Sequence, residues 1–496
     1  MNSNSFYTFH FLLLLQLWGI LCINRPPNFV VILTDDQDIT LGGLIPLEKT
    51  NSIIKKDGTE FINMFVTTPL CCPSRASILT GKYARNHQVR NNSVSGNCNS
   101  LYWQNNHEDK TFITHFKKKG YSTFYAGKYL NQYGKNEVGG VKHIPSGWDN
   151  WVGLVGNSRY YNYTLSINGR KVEHGSDPQK DYLTNVILEH SLDFVNQQNG
   201  SSPFFMFVSP PSPHAPFTPF PQYKNKFSNL SAPRTPNFGI NGGMRKHWLL
   251  RETPKILPPS VIESIDDVFR NRWRTLLSVD DMVHEVYVNL KRKKLLENTY
   301  IFFTSDNGFH LGQFSLPWDK RQLYEFDVRV PLLVRGPAVE KGIEIKHPVL
   351  NIDLAPTFLE LANIPIPEDV DGESFAPYLK KSKGKPSNRT SFIIEHQGES
   401  TNKPIPGCPQ YKAGEVHTCE INCICEDSWN NTYICVRQLS DKENLISCVF
   451  KDRELEQNTC SIQKVKNPKK RLKQKALGRN RFFKTKENVP NKWGSK

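Results

Sequence analysis

The chain has 496 residues, 38% of them apolar and 22% charged, enough to bury a large core and to hold one large domain with a smaller one beside it. Its formal charge of +16 sits at one end: residues 464–496 carry thirteen Lys or Arg against Glu487 alone, +12, which leaves +4 for everything before them. A nearly neutral body excludes a nucleic-acid-binding face spread over the protein and assigns the basic character to a tail.

Phe11 to Leu21 is an apolar run of signal-peptide length, too short to span a bilayer. No later segment has the length and apolarity of a membrane span. Residues 1–23 are therefore expected to be a signal peptide, cleaved between Gly19 and Asn24, and the mature protein to be soluble in the secretory pathway. Asn28-Phe29-Val30-Val31-Ile32-Leu33 reads as a strand buried on both faces. It runs into Thr34-Asp35-Asp36-Gln37, and adjacent carboxylates after a buried strand are costly unless a cation or hydrogen bonds compensate.

Next comes Leu70-Cys71-Cys72-Pro73-Ser74-Arg75-Ala76-Ser77-Ile78-Leu79-Thr80-Gly81-Lys82. Pro73 suits the first helical position and Gly81 the position just past the last. Cys71 is then expected just ahead of a helix N-terminus, where free backbone N–H groups favour an anion, with Arg75 in the first turn pointing back to the same place. A sulfur centre, an anion-seeking helix end and a guanidinium point to chemistry on a sulfate or phosphate ester. The plainer alternatives for Cys71 are a disulfide or a buried thiol.

The strand-then-polar-cluster order returns three times. Ser122–Ala126 leads into Gly127-Lys128, Phe204–Val208 into a proline-rich turn carrying His214, and Tyr300–Thr304 into Ser305-Asp306-Asn307-Gly308. Helical spacing is clearest from Val261 to Leu296. Strands alternating with helices predict a parallel, helix-covered α/β sheet, whose ligands bind at the carboxyl ends of the strands. Pro331–Val334 reads as a further strand and Asp353–Ala362 as a helix. Residues 365–390, rich in Pro, Lys, Ser and Asn, read as a linker, after which Ser391–Glu395 opens a smaller region. The expected division is 24–385 for the catalytic domain, 386–460 for a disulfide-rich subdomain, and 461–496 for a disordered basic tail.

Six cysteines crowd together: Cys408, Cys419, Cys423, Cys425, Cys435 and Cys448. Behind a signal peptide three disulfides are the better reading than a zinc site, with the pairing open. Cys22 belongs to the signal peptide. Cys72, Cys98 and Cys460 remain, an odd number, so one thiol is free or bridges chains. Sequons at Asn91, Asn162, Asn199, Asn229, Asn388 and Asn430 support the same compartment.

Asp35, Asp36, Asp306 and Asn307 offer hard oxygen ligands that suit Ca²⁺ or Mg²⁺. The Cys-x-Pro-x-Arg core, extended by Leu-Thr-Gly-Lys, resembles the signature of the type I sulfatases. The resemblance implies a large mixed, mostly parallel sheet between helices, in the alkaline-phosphatase-like arrangement, with a small C-terminal α+β subdomain. It implies that the formylglycine-generating enzyme converts Cys71 to formylglycine (3-oxoalanine), whose hydrated aldehyde is the nucleophile. It also implies one Ca²⁺ held by Asp35, Asp36, Asp306 and Asn307 beside modified Cys71, with Arg75 in the catalytic set. Lys128, His214 and Lys320 fall where the family places sulfate-binding or proton-transferring groups, and His214 or Lys320 protonates the leaving alcohol. His310 belongs to the pocket rim, and His87 is left between a supporting role and none. Where many sulfatases follow the lysine with an aromatic residue and then a histidine, Lys128 is followed by Tyr129-Leu130-Asn131; Leu130 cannot bind sulfate, and Asn131 is the candidate substitute.

Longer stretches narrow the resemblance over residues 25–450: Leu33–Asp38, Cys71–Tyr83, Gly127–Asn131, Tyr160–Leu165, Asp319–Asp327 and Cys423–Asp427. They are similar to the branch that removes 6-sulfate from N-acetylglucosamine at the non-reducing ends of heparan and keratan sulfate, a lysosomal-type or secreted exo-enzyme. The rivals are an extracellular heparan endosulfatase, whose long charged insertion finds no room here, and a catalytically silent glycosaminoglycan binder, which would need neither the motif nor the metal set. The resemblance ends near Phe450, where the family continues with a strand, so the small sheet is expected to lack one. The tail is expected to add affinity for polyanionic glycans without entering the chemistry, a solvated charge run being the alternative. Oligomeric state stays open.

Overall fold

The computed structural model describes residues 25–243, 246–379, 387–399, 426–428, 431–440, 444–451 and 483–485. Ten strands make the main sheet: β1 (Asn28–Thr34), β2 (Thr59–Phe61), β3 (Ser122–Gly127), β4 (Asn150–Leu154), β5 (Tyr163–Ile167), β6 (Arg170–His174), β7 (Phe204–Ser209), β8 (Thr299–Ser305), β9 (Leu332–Arg335) and β10 (Ile343–Ile345). Their spatial order is β10-β2-β9-β8-β1-β7-β3-β4-β5-β6. The middle five, β8-β1-β7-β3-β4, are parallel. β9 runs antiparallel to β8 and the β5–β6 hairpin antiparallel to β4, so the flanks depart from the parallel pattern that strand–helix alternation predicts.

The five central strands are apolar because both their faces are covered. Along β1, Phe29, Val31 and Leu33 enter one core and Val30 and Ile32 the other, the two-residue period of a strand. On the first side lie helices α1 (Cys71–Thr80), α2 (Phe112–Lys118) and α5 (Leu354–Leu361); Phe112, Phe116 and Phe358 gather around Phe29 and Phe205 there. On the second lie α3 (Leu183–Gln197) and α4 (Pro259–Arg292), through Leu183, Val186, Val279, Val283 and Leu290. Each wholly buried aromatic or aliphatic side chain contributes about 1.5–3 kcal/mol. No helix among the described residues is long and apolar enough to cross a membrane.

A second sheet of four antiparallel strands is ordered β11 (Ser391–His396), β12 (Tyr433–Leu439), β13 (Asn444–Phe450) and β14 (Phe483–Thr485). β14 lies within the segment expected to be a disordered basic tail, and it pairs with β13 as a fourth strand of the sheet expected to lack one. Cys435 and Cys448 face each other across β12 and β13 in a disulfide, and Cys72 pairs with Cys98. Cys22, Cys408, Cys419, Cys423, Cys425 and Cys460 lie outside the described residues, as do the signal segment and Asn430. Asn162, Asn199, Asn229 and Asn388 are exposed. Asn91 is not: it is 8% exposed, and its side-chain oxygen accepts from the Ser93 amide at 2.9 Å.

Candidate active site

The carboxyl ends of β1, β3, β7 and β8 deliver Asp35, Lys128, the His214 turn and Asp306 to one place, and α1 brings Cys71 and Arg75 to it. The helix begins two residues earlier than Pro73 suggests. Cys71 is its first residue after the extended Leu70, Pro73 is the third, Arg75 lies in the second turn, and Gly81 closes it in the left-handed conformation at φ 69°. Proline's missing N–H is tolerated throughout the first turn, where no donor has an intrahelical partner, so its preference for the first position did not fix the start.

Cys71 Sγ lies 3.7 Å from both Asp35 Oδ1 and Asp36 Oδ1. Oxygen, sulfur and imidazole donors of Asp35, Asp36, Cys71 and His214 all fall within 4.8 Å of one another. Asp306 reaches the same cluster by accepting from the Asp36 amide at 2.9 Å, and Asn307 by donating from Nδ2 to Asp36 Oδ1 at 2.8 Å. Asp36 holds a left-handed φ of 67°, a backbone state that costs on the order of 1–3 kcal/mol and persists only where the surroundings enforce it. Here the enforcing contacts are that amide bond and Arg272 Nη2, which donates to the Asp36 carbonyl at 2.7 Å.

Cations ring the cluster. Lys128 Nζ lies 2.8 Å from Asp35 Oδ2, Lys320 Nζ 2.7 Å from Asp36 Oδ2, and Arg75 Nε 2.7 Å from Asp306 Oδ2. Arg75 Nη1 also donates to the Lys128 carbonyl at 2.7 Å and to Ser209 Oγ at 2.8 Å. Burial would raise the Asp35 carboxyl, but Lys128, His214 and Arg75 hold it well below the usual range. Asp36 is lowered too, Lys320 and His214 outweighing burial. Burial pushes Asp306 up to about 7 despite Arg75. Burial likewise pushes the Cys71 thiol up, against the pull of Lys128 and Lys320, which is the opposite of what activates a nucleophilic thiolate. His214 is moved down to about 4 by burial and Lys320; its Nδ1 is 2.7 Å from the Ala215 carbonyl and its Nε2 3.8 Å from Asp36 Oδ2.

Asn307 Oδ1 is buried without a hydrogen-bond partner among the described residues. An orphaned amide oxygen beside three carboxylates is a donor set that fits a hard divalent cation.

Not every expected residue joins the cluster. His310 is fully buried, with Nδ1 3.0 Å from Asp327 and Nε2 3.0 Å from Glu426; with both nitrogens engaged it is not part of a pocket rim. His87 contacts Ser77 Oγ at 3.0 Å through Nε2 and accepts from the Val89 amide at 3.1 Å, which makes it a brace behind α1. Asn131 is buried, its Nδ2 3.2 Å from Asn157 Oδ1. Three residues went unnoticed in the sequence: Ser158, whose hydroxyl donates to Asp35 Oδ2, Ser209, and Arg272. The Arg272 signal was an arginine on the apolar face of α4. For the serines no signal existed.

A sulfur at a helix start, faced by carboxylates from two strand ends and ringed by cations, defines a hydrolase of anionic esters. The sulfatase family pattern matches residues 27–364, and the chain belongs to the sulfatase family of sulfuric ester hydrolases. It is 49% identical over 443 residues to the human N-acetylglucosamine-6-sulfatase, covering 89% of this chain and 80% of the human one. It is 42% identical over 379 residues to an extracellular sulfatase homologue of Drosophila melanogaster, covering 75% of this chain and 33% of that one. A solved structure described as bound to its substrate D-glucosamine-2-N,6-O-disulfate aligns with a TM-score of 0.65 at 21% identity, over 86% of this chain and 90% of that chain. That likeness speaks for the fold, the alkaline-phosphatase-like arrangement.

Proposed function

We propose that this sulfatase removes the 6-sulfate of N-acetylglucosamine at the non-reducing ends of heparan and keratan sulfate. The observation that carries the chemistry is Cys71 Sγ at 3.7 Å from both Asp35 and Asp36, with Lys128 and Lys320 bonded to those same carboxylates. The substrate is supported by the 49% identity to the human enzyme of that activity across 89% of this chain.

Asp35, Asp36, Asp306 and Asn307 would hold one Ca²⁺, the ion suited to several carboxylate and amide oxygens. When bound it would polarise a sulfate oxygen. Cys71, after oxidation to formylglycine by the formylglycine-generating enzyme, would present a hydrated aldehyde as nucleophile. Arg75 pairs with Asp306 and ties α1 to the turns after β3 and β7. Lys128 and Lys320 bring positive charge to the sulfuryl oxygens as charge develops there. The leaving alcohol takes its proton from His214 or Lys320, the two groups that share Asp36 Oδ2. Residues 1–23 direct the chain into the secretory pathway, to the lysosome or outside the cell, and Asn162, Asn199, Asn229, Asn388 and Asn430 receive glycans.

The test is sulfate release from a fluorogenic 6-sulfated N-acetylglucosaminide beside sulfated uronate and galactose analogues, and from heparin oligosaccharides. Release from the terminal 6-sulfated glucosamine alone is expected. Release from internal residues would instead favour the endo-acting reading that the Drosophila relative motivates.

A further inference from the structure

The turn that carries Lys320 is held from outside the large domain. Asp319 and Trp318 pair with His310 and Leu311 in a two-rung antiparallel ladder. Immediately after Lys320, Arg321 has a left-handed φ of 86°, unusual for a long side chain. Its guanidinium meets Glu399 at 2.6 Å and Asp427 at 2.9 Å, and also Asp319. Its carbonyl accepts from Tyr433 Oη at 3.0 Å. Glu426 divides its two oxygens: Oε1 lies 3.0 Å from His310 Nε2, and Oε2 accepts from Gln322 Nε2 at 3.0 Å. The backbone amide of Gln322 donates to Asp327 at 2.7 Å, and Asp327 also holds His310. Glu426, Asp327 and His310 are all fully buried.

Glu399, Asp427, Glu426 and Tyr433 all come from beyond residue 390. Such acidic residues are seldom buried unless paired, and here Glu399 and Asp427 form ion pairs with Arg321, directly after Lys320, and Glu426 with His310, three positions after Asn307. Against burial, Glu426 and Asp327 push His310 up to about 10, while burial pushes Asp327 up to about 6 and Glu426 up to about 7; held by its hydrogen bonds, the triad forms a brace between the subdomain and the Asp306–Asn307 strand end. The brace touches neither Asp36 nor Cys71. Its consequence for them is where the Lys320 ammonium sits.

We infer that the C-terminal segment is a positioning device for the active site, with Glu426, Asp427 and Tyr433 fixing the Arg321–Gln322 backbone so that Lys320 reaches Asp36. This rests on the reading that Lys320 serves the reaction. It gives Glu426 and Asp427 a role in turnover beyond stability, because a displacement of about 1 Å in a charged group can lower a rate on the order of 100-fold.

The experiment is a double-mutant cycle on the full glycosylated chain, reading single-turnover sulfate release from the 6-sulfated N-acetylglucosaminide. Glu426→Gln is expected to lower kcat by about 10- to 100-fold, with KM little changed. In a Lys320→Met background the same substitution should lower it no further. Tyr433→Phe removes one hydroxyl from a packed ring, so it keeps the test open should Glu426→Gln fail to be secreted; its smaller loss should also vanish in the Lys320→Met background. Losses that multiply in the double variants would overturn the positioning role and make the contacts structural only. A Lys320→Met enzyme with wild-type turnover would overturn the reading of Lys320 itself, and the positioning role with it.

Discussion

Arg75 Nε donates to Asp306 Oδ2 at 2.7 Å, and that bond joins the helix that begins at Cys71 to the strand end that carries Asp306 and Asn307. The same guanidinium spans the Lys128 carbonyl and Ser209 Oγ. A lysine supplies charge without the fork and cannot make all three contacts. Arg75→Ala would remove the guanidinium paired with the buried Asp306, a loss of about 3–5 kcal/mol. Arg75→Lys is expected to keep part of the stability and little of the turnover. Urea unfolding midpoints and sulfate release measure the two effects separately. An Arg75→Lys enzyme that matches wild type in both would show that only the charge matters.

Cys71 and Cys72 are adjacent, yet only one is available for oxidation to an aldehyde. Cys72 is bonded to Cys98 across the base of α1, and Cys71 is the free one. Peptide mass spectrometry on protein from a secretory host able to make formylglycine should find the aldehyde at Cys71 and the Cys72–Cys98 bridge intact. Cys71→Ala should abolish turnover. Active enzyme carrying only unmodified Cys71 would end the formylglycine reading.

Asp306→Asn keeps shape and hydrogen-bonding size while removing one carboxylate from the candidate metal site. The expected result is loss of most bound Ca²⁺, measured by elemental analysis on purified protein, together with loss of turnover. Exhaustive chelation of the wild type should do the same, with recovery on adding Ca²⁺. Turnover that survives both treatments would take the metal out of the mechanism.

His87 sets an acid limit on stability. Burial lowers it to about 3, and it accepts a hydrogen bond from the Val89 amide, which the protonated ring cannot do. Its folded pKa lies below the unfolded value near 6.5, so the stability it contributes is complete above about pH 6.5 and is lost as pH falls toward 3, by about 1.4 kcal/mol per unit. His87→Gln should be less stable than wild type at pH 7, with the gap closing as pH falls from 6.5 to 4. Denaturation series at several pH values give the gap directly. Curves that stay parallel would mean His87 does not titrate in this range.

Local chemistry made part of this molecule readable. Phe29 to Leu33 could only be a strand covered on both faces, and Asp35-Asp36 and Asp306-Asn307 stood out because paired polar donors directly after such strands need compensation. The helix motif was readable in outline, while its start depended on Leu70 adopting an extended conformation that no residue preference fixes. Ser158 and Ser209 act through partners more than 100 positions away in sequence, so a lone serine gives no hint of them; Arg272 is marked only by its place on the apolar face of α4. His310 is the same case as the serines. Its neighbour Asn307 suggested the pocket, but its partner Glu426 comes from 116 residues further along. β14 was hidden because Phe483–Thr485 sits among lysines and arginines, where three residues of strand leave no apolar pattern.

The basic segment can be tested for glycan affinity without disturbing the sheet. β14 pairs with β13, and β13 carries Cys448, which is bonded to Cys435. Truncation after Ser461 would therefore remove a strand along with the charge, and any loss would have two causes. Changing Lys464, Lys466, Lys469, Lys470 and Arg471 to glutamine removes five positive charges and leaves residues 483–485 untouched. Attraction between a +12 segment and a sulfated polymer works through counterion release and is steeply salt-dependent, whereas binding of a monosaccharide in the site is not. The glutamine variant should leave a heparin column at lower salt than wild type, with unchanged kcat/KM on the monosaccharide substrate. Elution at the same salt would mean that the segment is a solvated run of charge that does not bind glycans.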